Sequence, residues 1–220
     1  MKKFLCPALD TFPKTKKERA LTLCRRLETY YPDAVCALEF EGDPFRLLVM
    51  ARLSAQCTDK RVNEVSKPLF KKYPDVFSFA RADRAELEEL IRPCGLFRSK
   101  ADQILKTSKI LVEKHGGEVP QDKEGLMALP GVGEKIANLM LGDAFGDPHI
   151  VADTHCIRLA GRFRLSDSEN PAKVTKDLEK LILKAEQADF CHRLITLGRE
   201  FCKAQGPRCE QCPMKRFDAT

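Results

Sequence analysis

A chain of 220 residues with 38 Lys+Arg against 32 Asp+Glu carries a formal charge of +6 and has room for one large domain or two small lobes. Hydrophobic residues at 43% and charged residues at 32% exclude a disordered tail, a collagen-like repeat and a membrane-embedded bundle. The longest apolar run, Leu47 to Ala51, is closed by Arg46 and Arg52, and Met1 to Asp10 has too few apolar residues for a signal-peptide core, so the expected address is the cytoplasm.

Helical spacing starts at Leu21, Cys24, Leu27 and Tyr31, a stripe ended by Pro32. Phe45, Leu48, Val49 and Leu53 form a second stripe, and Val62, Val65, Leu69 and Phe70 a third. Asp83 followed by Glu86 reads as a capping-box variant that opens a helix through Leu90, ahead of Pro93. Ala101, Ile104, Leu105, Ser108, Leu111 and Val112 make a longer amphipathic helix, closed by Gly116 and Gly117. Glu134 to Phe145, Thr154 to Phe163, Val174 to Ala185 and Phe190 to Lys203 give four more. The linkers are short, at 93–95, 129–133, 145–148 and 166–171, and period-2 alternation is absent, so the expected class is all-α.

The turn Leu129-Pro130-Gly131-Val132-Gly133 ends one helix, and Glu134-Lys135 opens the next. Glycines at 131 and 133 permit positive φ and leave backbone N–H groups uncovered beside a helix N-terminus, where a phosphate is favoured. Val132 points inward and pins the two helices. This is the logic of a helix–hairpin–helix that grips a DNA backbone without reading sequence; an ordinary αα-hairpin turn fits the five residues equally well. Lys135 lies in the first turn of the second helix, as a surface cation or a phosphate contact. Asp153, in Val151-Ala152-Asp153-Thr154-His155, is placed to cap the helix that follows it.

Taken together, Leu129-Pro130-Gly131-Val132-Gly133-x-Lys135-x-Ala137 and Val151-x-Asp153-Thr154-His155 resemble the endonuclease III group of helix–hairpin–helix DNA glycosylases. Leu53-Ser54-Ala55-Gln56-Cys57-Thr58-Asp59 and Gly95-Leu96-Phe97-Arg98-Ser99-Lys100-Ala101 extend the resemblance, which runs from about residue 17 to 212. It implies two helical lobes with a DNA-binding cleft between them: a six-helix lobe at 36–149 carrying the hairpin, and a lobe of 1–35 with 150–220 carrying a cysteine loop. It also implies a monomer that acts on damaged or abasic duplex DNA, associated with the nucleoid and not with membranes.

By the same resemblance Lys135 is the nucleophile and Asp153 its partner across the cleft. A lysine amine titrates near pH 10.4 in water, so attack on a sugar C1′ requires a lowered pKa or a neighbouring base. Expulsion of the base leaves a Schiff base, and β-elimination then cuts the strand, which makes the enzyme both glycosylase and lyase. Oxidised pyrimidines are the implied substrates. Relatives acting on mismatched thymine, uracil or adenine are an alternative, disfavoured by lysine at 135, and a non-catalytic helix–hairpin–helix DNA-binding protein is another. A target base must leave the stack. The resemblance assigns Leu96 as the wedge that enters the duplex and Gln56 as the residue that fills the vacated space; packing in the core is the competing role for Leu96. His155 faces phosphates or the pocket rim, or is a structural histidine.

Ten cysteines without a secretion signal read as thiols or metal thiolates. Cys6, Cys24, Cys36, Cys57, Cys94 and Cys156 stand alone as buried thiols, and four crowd into 191–212. Cys202, Cys209 and Cys212 have the spacing C-x6-C-x2-C, suited to a thiolate-bound metal. The family continues with x5-C to hold a 4Fe–4S cluster, but that position is Asp218. In one helix with Cys202, Cys191 would sit about 16 Å away along the axis, whereas Cys6 could approach if the N-terminal segment packs on this lobe. A cluster with an Asp218 oxygen as fourth ligand beside Cys202, Cys209 and Cys212, a labile three-cysteine cluster, zinc with three thiolates and a carboxylate, and no metal at all are the open alternatives. A metal-folded loop would bring Lys203, Arg208, Lys215 and Arg216 to phosphates.

Overall fold

The structure is a computed structural model, and it describes residues 5–215. Its helices are α1 (Lys16–Tyr30), α2 (Pro44–Leu53), α3 (Asp59–Lys72), α4 (Val76–Ala80), α5 (Arg84–Ile91), α6 (Phe97–His115), α7 (Lys123–Met127), α8 (Glu134–Asp143), α9 (Thr154–Arg162), α10 (Pro171–Glu179) and α11 (Gln187–Glu200). Among the described residues there is no strand, as the absence of alternation led one to expect, and no helix is long and apolar enough to cross a membrane. The chain gathers into two compact units, Cys36–Asp147 and the two ends, Met1–Val35 with Pro148–Thr220.

In the central unit α2 is the core helix. Asp43 caps it by accepting from the N–H groups of Phe45 and Arg46, and Pro44 occupies its first turn. Phe45, Leu47, Leu48, Val49, Met50, Ala51 and Leu53 are all buried, so the helix is enclosed on nearly every side and not only along the stripe its spacing suggested. It packs on α3, α6 and α8, while α4 and α5 lie on α6. Asp75 and Ser78 form a reciprocal capping box on α4; at α5 only half of the expected box forms, with Asp83 accepting from the Glu86 N–H. Gly116 ends α6 in the left-handed region, where the Gly117 N–H returns to the Leu111 carbonyl.

In the terminal unit α11 packs on both α1 and α9, and α10 packs on α9. The α1 face that faces inward is Ala20, Leu23, Arg26 and Leu27; of the expected stripe Leu27 is buried, Cys24 is half-buried and Leu21 is 44% exposed. Arg26 turns the face away from Leu21, because an arginine occupies a buried position that the apolar spacing does not mark. Helix α10 begins at Pro171, capped by Asn170, and stops at Glu179 well before Ala185; a 3-10 turn at Lys184–Glu186 leads directly into α11. Apolar residues at 181–183 carried the expected helix too far, and Leu183 is in fact exposed.

Candidate functional site

The hairpin joins α7 to α8 in the central unit. Gly131 has φ +73°, and a Cβ there would meet the Arg52 guanidinium at 2.6 Å and Gln103 at 2.8 Å. Arg52 Nη1 donates to the Gly131 carbonyl, which ties the turn to the end of α2. Gly133 does not use the positive-φ freedom expected of it: it is the extended N-cap of α8, at φ −97°. A side chain at 133 would stand in open space, so the glycine leaves uncovered an N-terminus that has no side-chain cap. Val132 is buried as expected. Glu134, in the first turn of α8, pairs with Lys123 at 2.8 Å, and Lys135 is exposed one residue further on.

Gln56 and Leu96 occupy two turns of the same unit, and both are non-glycine residues in the left-handed region, at φ 54° and 49°. Both side chains are exposed; Leu96, at 55%, is not a core residue. The two turns are joined by Lys100, only 2% exposed. Its Nζ donates to the carbonyls of Leu53 (2.8 Å), Ala55 (2.7 Å) and Cys94 (2.9 Å), the first two just before Gln56 and the third just before Gly95-Leu96. Burial pushes the Lys100 ammonium below the ordinary lysine range, with Cys94 and Cys57 acting against that shift. Sequence reasoning missed this clamp because lysine is read as a surface residue. A signal was present: Lys100 lies four residues before Ile104, on the buried face with Thr107, Ser108 and Leu111.

In the terminal unit Asp153 is the N-cap of α9, its Oδ1 accepting from the Cys156 N–H at 2.7 Å, so the capping expected of it is present. His155 is half-buried, with Nδ1 3.1 Å from the Arg158 guanidinium, and stands over Gly198, where a Cβ would lie 2.6 Å from Nδ1. Lys203 and Arg208 are exposed on the loop after α11, while Arg216 and Asp218 lie outside the described residues.

Cys202 and Cys212 are buried and Cys209 is half-buried. They line one pocket with Cys6, whose placement corrects the expectation that Cys6 stands alone. Burial pushes the Cys6 thiol up to about 12 and the Cys212 thiol up to about 11, with the neighbouring cysteines adding to both. Three other cysteines expected to be isolated are not: Cys94 lies beside Cys57, and Cys156 is hydrogen-bonded to Cys191. Cys191 also accepts from the Val151 N–H at 3.3 Å. Among the described residues no three His, Cys, Asp or Glu side chains are gathered as ligands of a single ion.

Residues 49–184 match the family described as HhH-GPD superfamily base excision DNA repair protein. Endonuclease III of Synechocystis sp. is 43% identical over 201 residues, covering 91% of each chain. Endonuclease III of Bacillus subtilis is 43% identical over 185 residues, covering 84% of each. A solved structure of a trapped endonuclease III–DNA covalent intermediate superposes with a TM-score of 0.86 at 43% identity, covering 92% of this chain and 94% of that one. The chain therefore belongs to the endonuclease III family within the HhH-GPD superfamily of base excision DNA repair proteins.

Proposed function

We propose that the chain is a base-excision repair enzyme: a bifunctional DNA N-glycosylase and AP lyase that removes oxidised pyrimidines from duplex DNA through a Schiff base on Lys135. The observation that carries this reading is an exposed lysine in the first turn of α8, directly after a hairpin whose helix N-terminus is open to an anion. A phosphate held there delivers the adjacent sugar to an amine. A relative of this chain has been caught as a covalent intermediate with DNA, which is the species such an amine forms.

Unprotonated Lys135 Nζ attacks C1′, and the C1′–N bond breaks with its electron pair leaving on the base, which takes up a proton. Ring opening gives the Schiff base. Loss of a C2′ proton then expels the 3′ oxygen with its phosphate, and hydrolysis returns the free amine. Asp153 stabilises positive charge on the sugar or relays the amine's proton; its bond to the Cys156 N–H fixes the direction of the carboxylate. Leu96 enters the duplex and Gln56 fills the gap left by the extruded nucleotide. The backbone at Gly131, Val132 and Gly133, together with His155, Lys203 and Arg208, meets phosphates.

Cys202, Cys209 and Cys212 are the residues that would hold a 4Fe–4S cluster: three thiols on one loop, lining one pocket, form a suitable donor set. A bound cluster would cross-link the loop through these thiolates and so hold Lys203 and Arg208 in place. The enzyme works in the cytoplasm on nucleoid DNA.

Borohydride trapping on a duplex with one oxidised pyrimidine tests the mechanism. Wild type is expected to give a covalent adduct and Lys135→Ala none. Base release that persists in Lys135→Ala without any adduct would mean a hydrolytic glycosylase centred on Asp153.

A further inference from the structure

We infer that Cys6, from the N-terminal segment, is the fourth thiolate of the cysteine centre, joining Cys202, Cys209 and Cys212 in a chain that has Asp218 where a fourth loop cysteine is expected. The inference rests on the reading that the loop holds a 4Fe–4S cluster. Its primary observation is geometric: four cysteines from two distant parts of the sequence line a single pocket, with Pro7 and Phe201 among its other walls. Cys6 is 7% exposed, and it precedes a 3-10 turn at Pro7–Thr11 in which Ala8 is buried.

The segment carrying Cys6 is fastened to the cysteine loop at both ends. At one end the Cys6 N–H donates to the Arg162 carbonyl at 3.1 Å. The Arg162 guanidinium in turn donates to the carbonyls of Cys202 (3.0 Å) and Lys203 (2.8 Å) and to Cys202 Sγ (3.1 Å). At the other end Arg26 donates to Thr11 Oγ1 (2.9 Å) and the Thr11 carbonyl (3.0 Å), and to the Met214 carbonyl (2.7 Å), two residues past Cys212. Arg26 also stacks on Phe12 at 4.1 Å. Both arginines are buried, and so are the bonds to the Met214 carbonyl and to the Cys202 carbonyl and sulfur. A clasp of this kind removes the objection of sequence distance, because the 195 residues between Cys6 and Cys202 no longer have to be closed by the metal itself.

Four thiols lining one pocket are also a donor set that a 4Fe–4S centre takes. A cation donor on a ligand sulfur, as Arg162 provides at Cys202, is a feature that tunes iron–sulfur centres. The other cysteines point elsewhere: Cys191 is engaged with Val151 and Cys156, and Cys24 lines a separate pocket with Glu28 and Phe190.

The test is the iron and acid-labile sulfide content, and the visible and EPR spectra, of the full chain purified anaerobically as wild type, Cys6→Ala, Asp218→Ala, Cys24→Ala and Cys209→Ala. Wild type is expected to hold about four irons and four sulfides per chain. Asp218→Ala and Cys24→Ala should match it. Cys6→Ala should lose iron or show a three-iron signal, as Cys209→Ala does. Loss of the cluster in Asp218→Ala, or a four-iron spectrum kept in Cys6→Ala, overturns the assignment of Cys6. Wild type that carries zinc or no metal overturns the cluster reading itself, and that result is seen before any variant is compared. Should Cys6→Ala not fold, Asp218→Ala alone still decides between the two candidate ligands.

Discussion

Replacing Lys100 with methionine removes the ammonium that joins the Gln56 and Leu96 turns while keeping a side chain of similar length on the buried face of α6. Three carbonyls lose their donor, those of Leu53, Ala55 and Cys94. Ala55 is exposed, so its carbonyl regains water, whereas the bonds to Leu53 and Cys94 are buried. Each orphaned buried carbonyl costs about 1–3 kcal/mol. Methionine in turn recovers the desolvation of a buried ammonium, the same cost that depresses the Lys100 pKa. The net destabilisation is about 2–4 kcal/mol, which lowers Tm by roughly 4–16 °C for a chain of this size. Thermal unfolding followed by circular dichroism measures it. Activity should fall further than stability accounts for, because both turns lose their common anchor; single-turnover base release well below Tm, compared with Lys100→Arg, reads that component. A Lys100→Met protein melting within about 1 °C of wild type, with unchanged base release, refutes the clamp.

The two hairpin glycines should separate by assay. Gly131→Ala meets both a left-handed φ and the Arg52 guanidinium, so it should lose about 1–2 kcal/mol of stability or more, read by urea unfolding. Gly133→Ala adds a methyl in open space, so it should cost less stability while weakening binding to an abasic-site duplex, read by fluorescence anisotropy. Leu96→Gly relieves the left-handed backbone and should leave Tm equal or slightly higher while base release falls; full base release by this variant would remove Leu96 from the machinery. At low pH the Asp75 cap should be visible. The Ser78 N–H holds the Asp75 carboxyl below its ordinary range, so its contribution to stability is complete above about pH 4 and is lost as pH falls through the folded-state value. Asp75→Asn keeps the cap and should show a flatter stability curve below pH 4 than wild type.

Features that depend on neighbours in sequence were legible. The stripes at 45–53, 62–70 and 101–112 became α2, α3 and the buried face of α6, and the Gly-Val-Gly turn became a hairpin with Val132 inside. What failed depends on partners remote in sequence. Arg26 is inside α1 because Thr11 and the Met214 carbonyl, 188 residues away, accept from it. Lys100 is inside because three carbonyls from two turns converge on it. A cation reads as solvent-facing until its acceptors are known, and backbone acceptors leave no mark in the sequence. Cys6 reaches the loop although no spacing rule relates position 6 to 202–212; only the arginine clasps do.

The placement of glycine argues for what the exposed turns are built to do. At Gly131 the Arg52 side chain fills the space a Cβ would need, and glycine answers a steric demand. No such demand exists at Gly95, whose side-chain direction is open, yet its φ of +69° explains the residue. Leu96 and Gln56 have the same left-handed backbone without the same residue, and glycine at either would relieve roughly 1–2 kcal/mol of local strain. Both side chains project into solvent, so packing within the central unit does not account for retaining them. Strain held at an exposed non-glycine residue by a buried clamp points from geometry to function. Under the proposed function, the object on which the Leu96 and Gln56 side chains act is the DNA duplex.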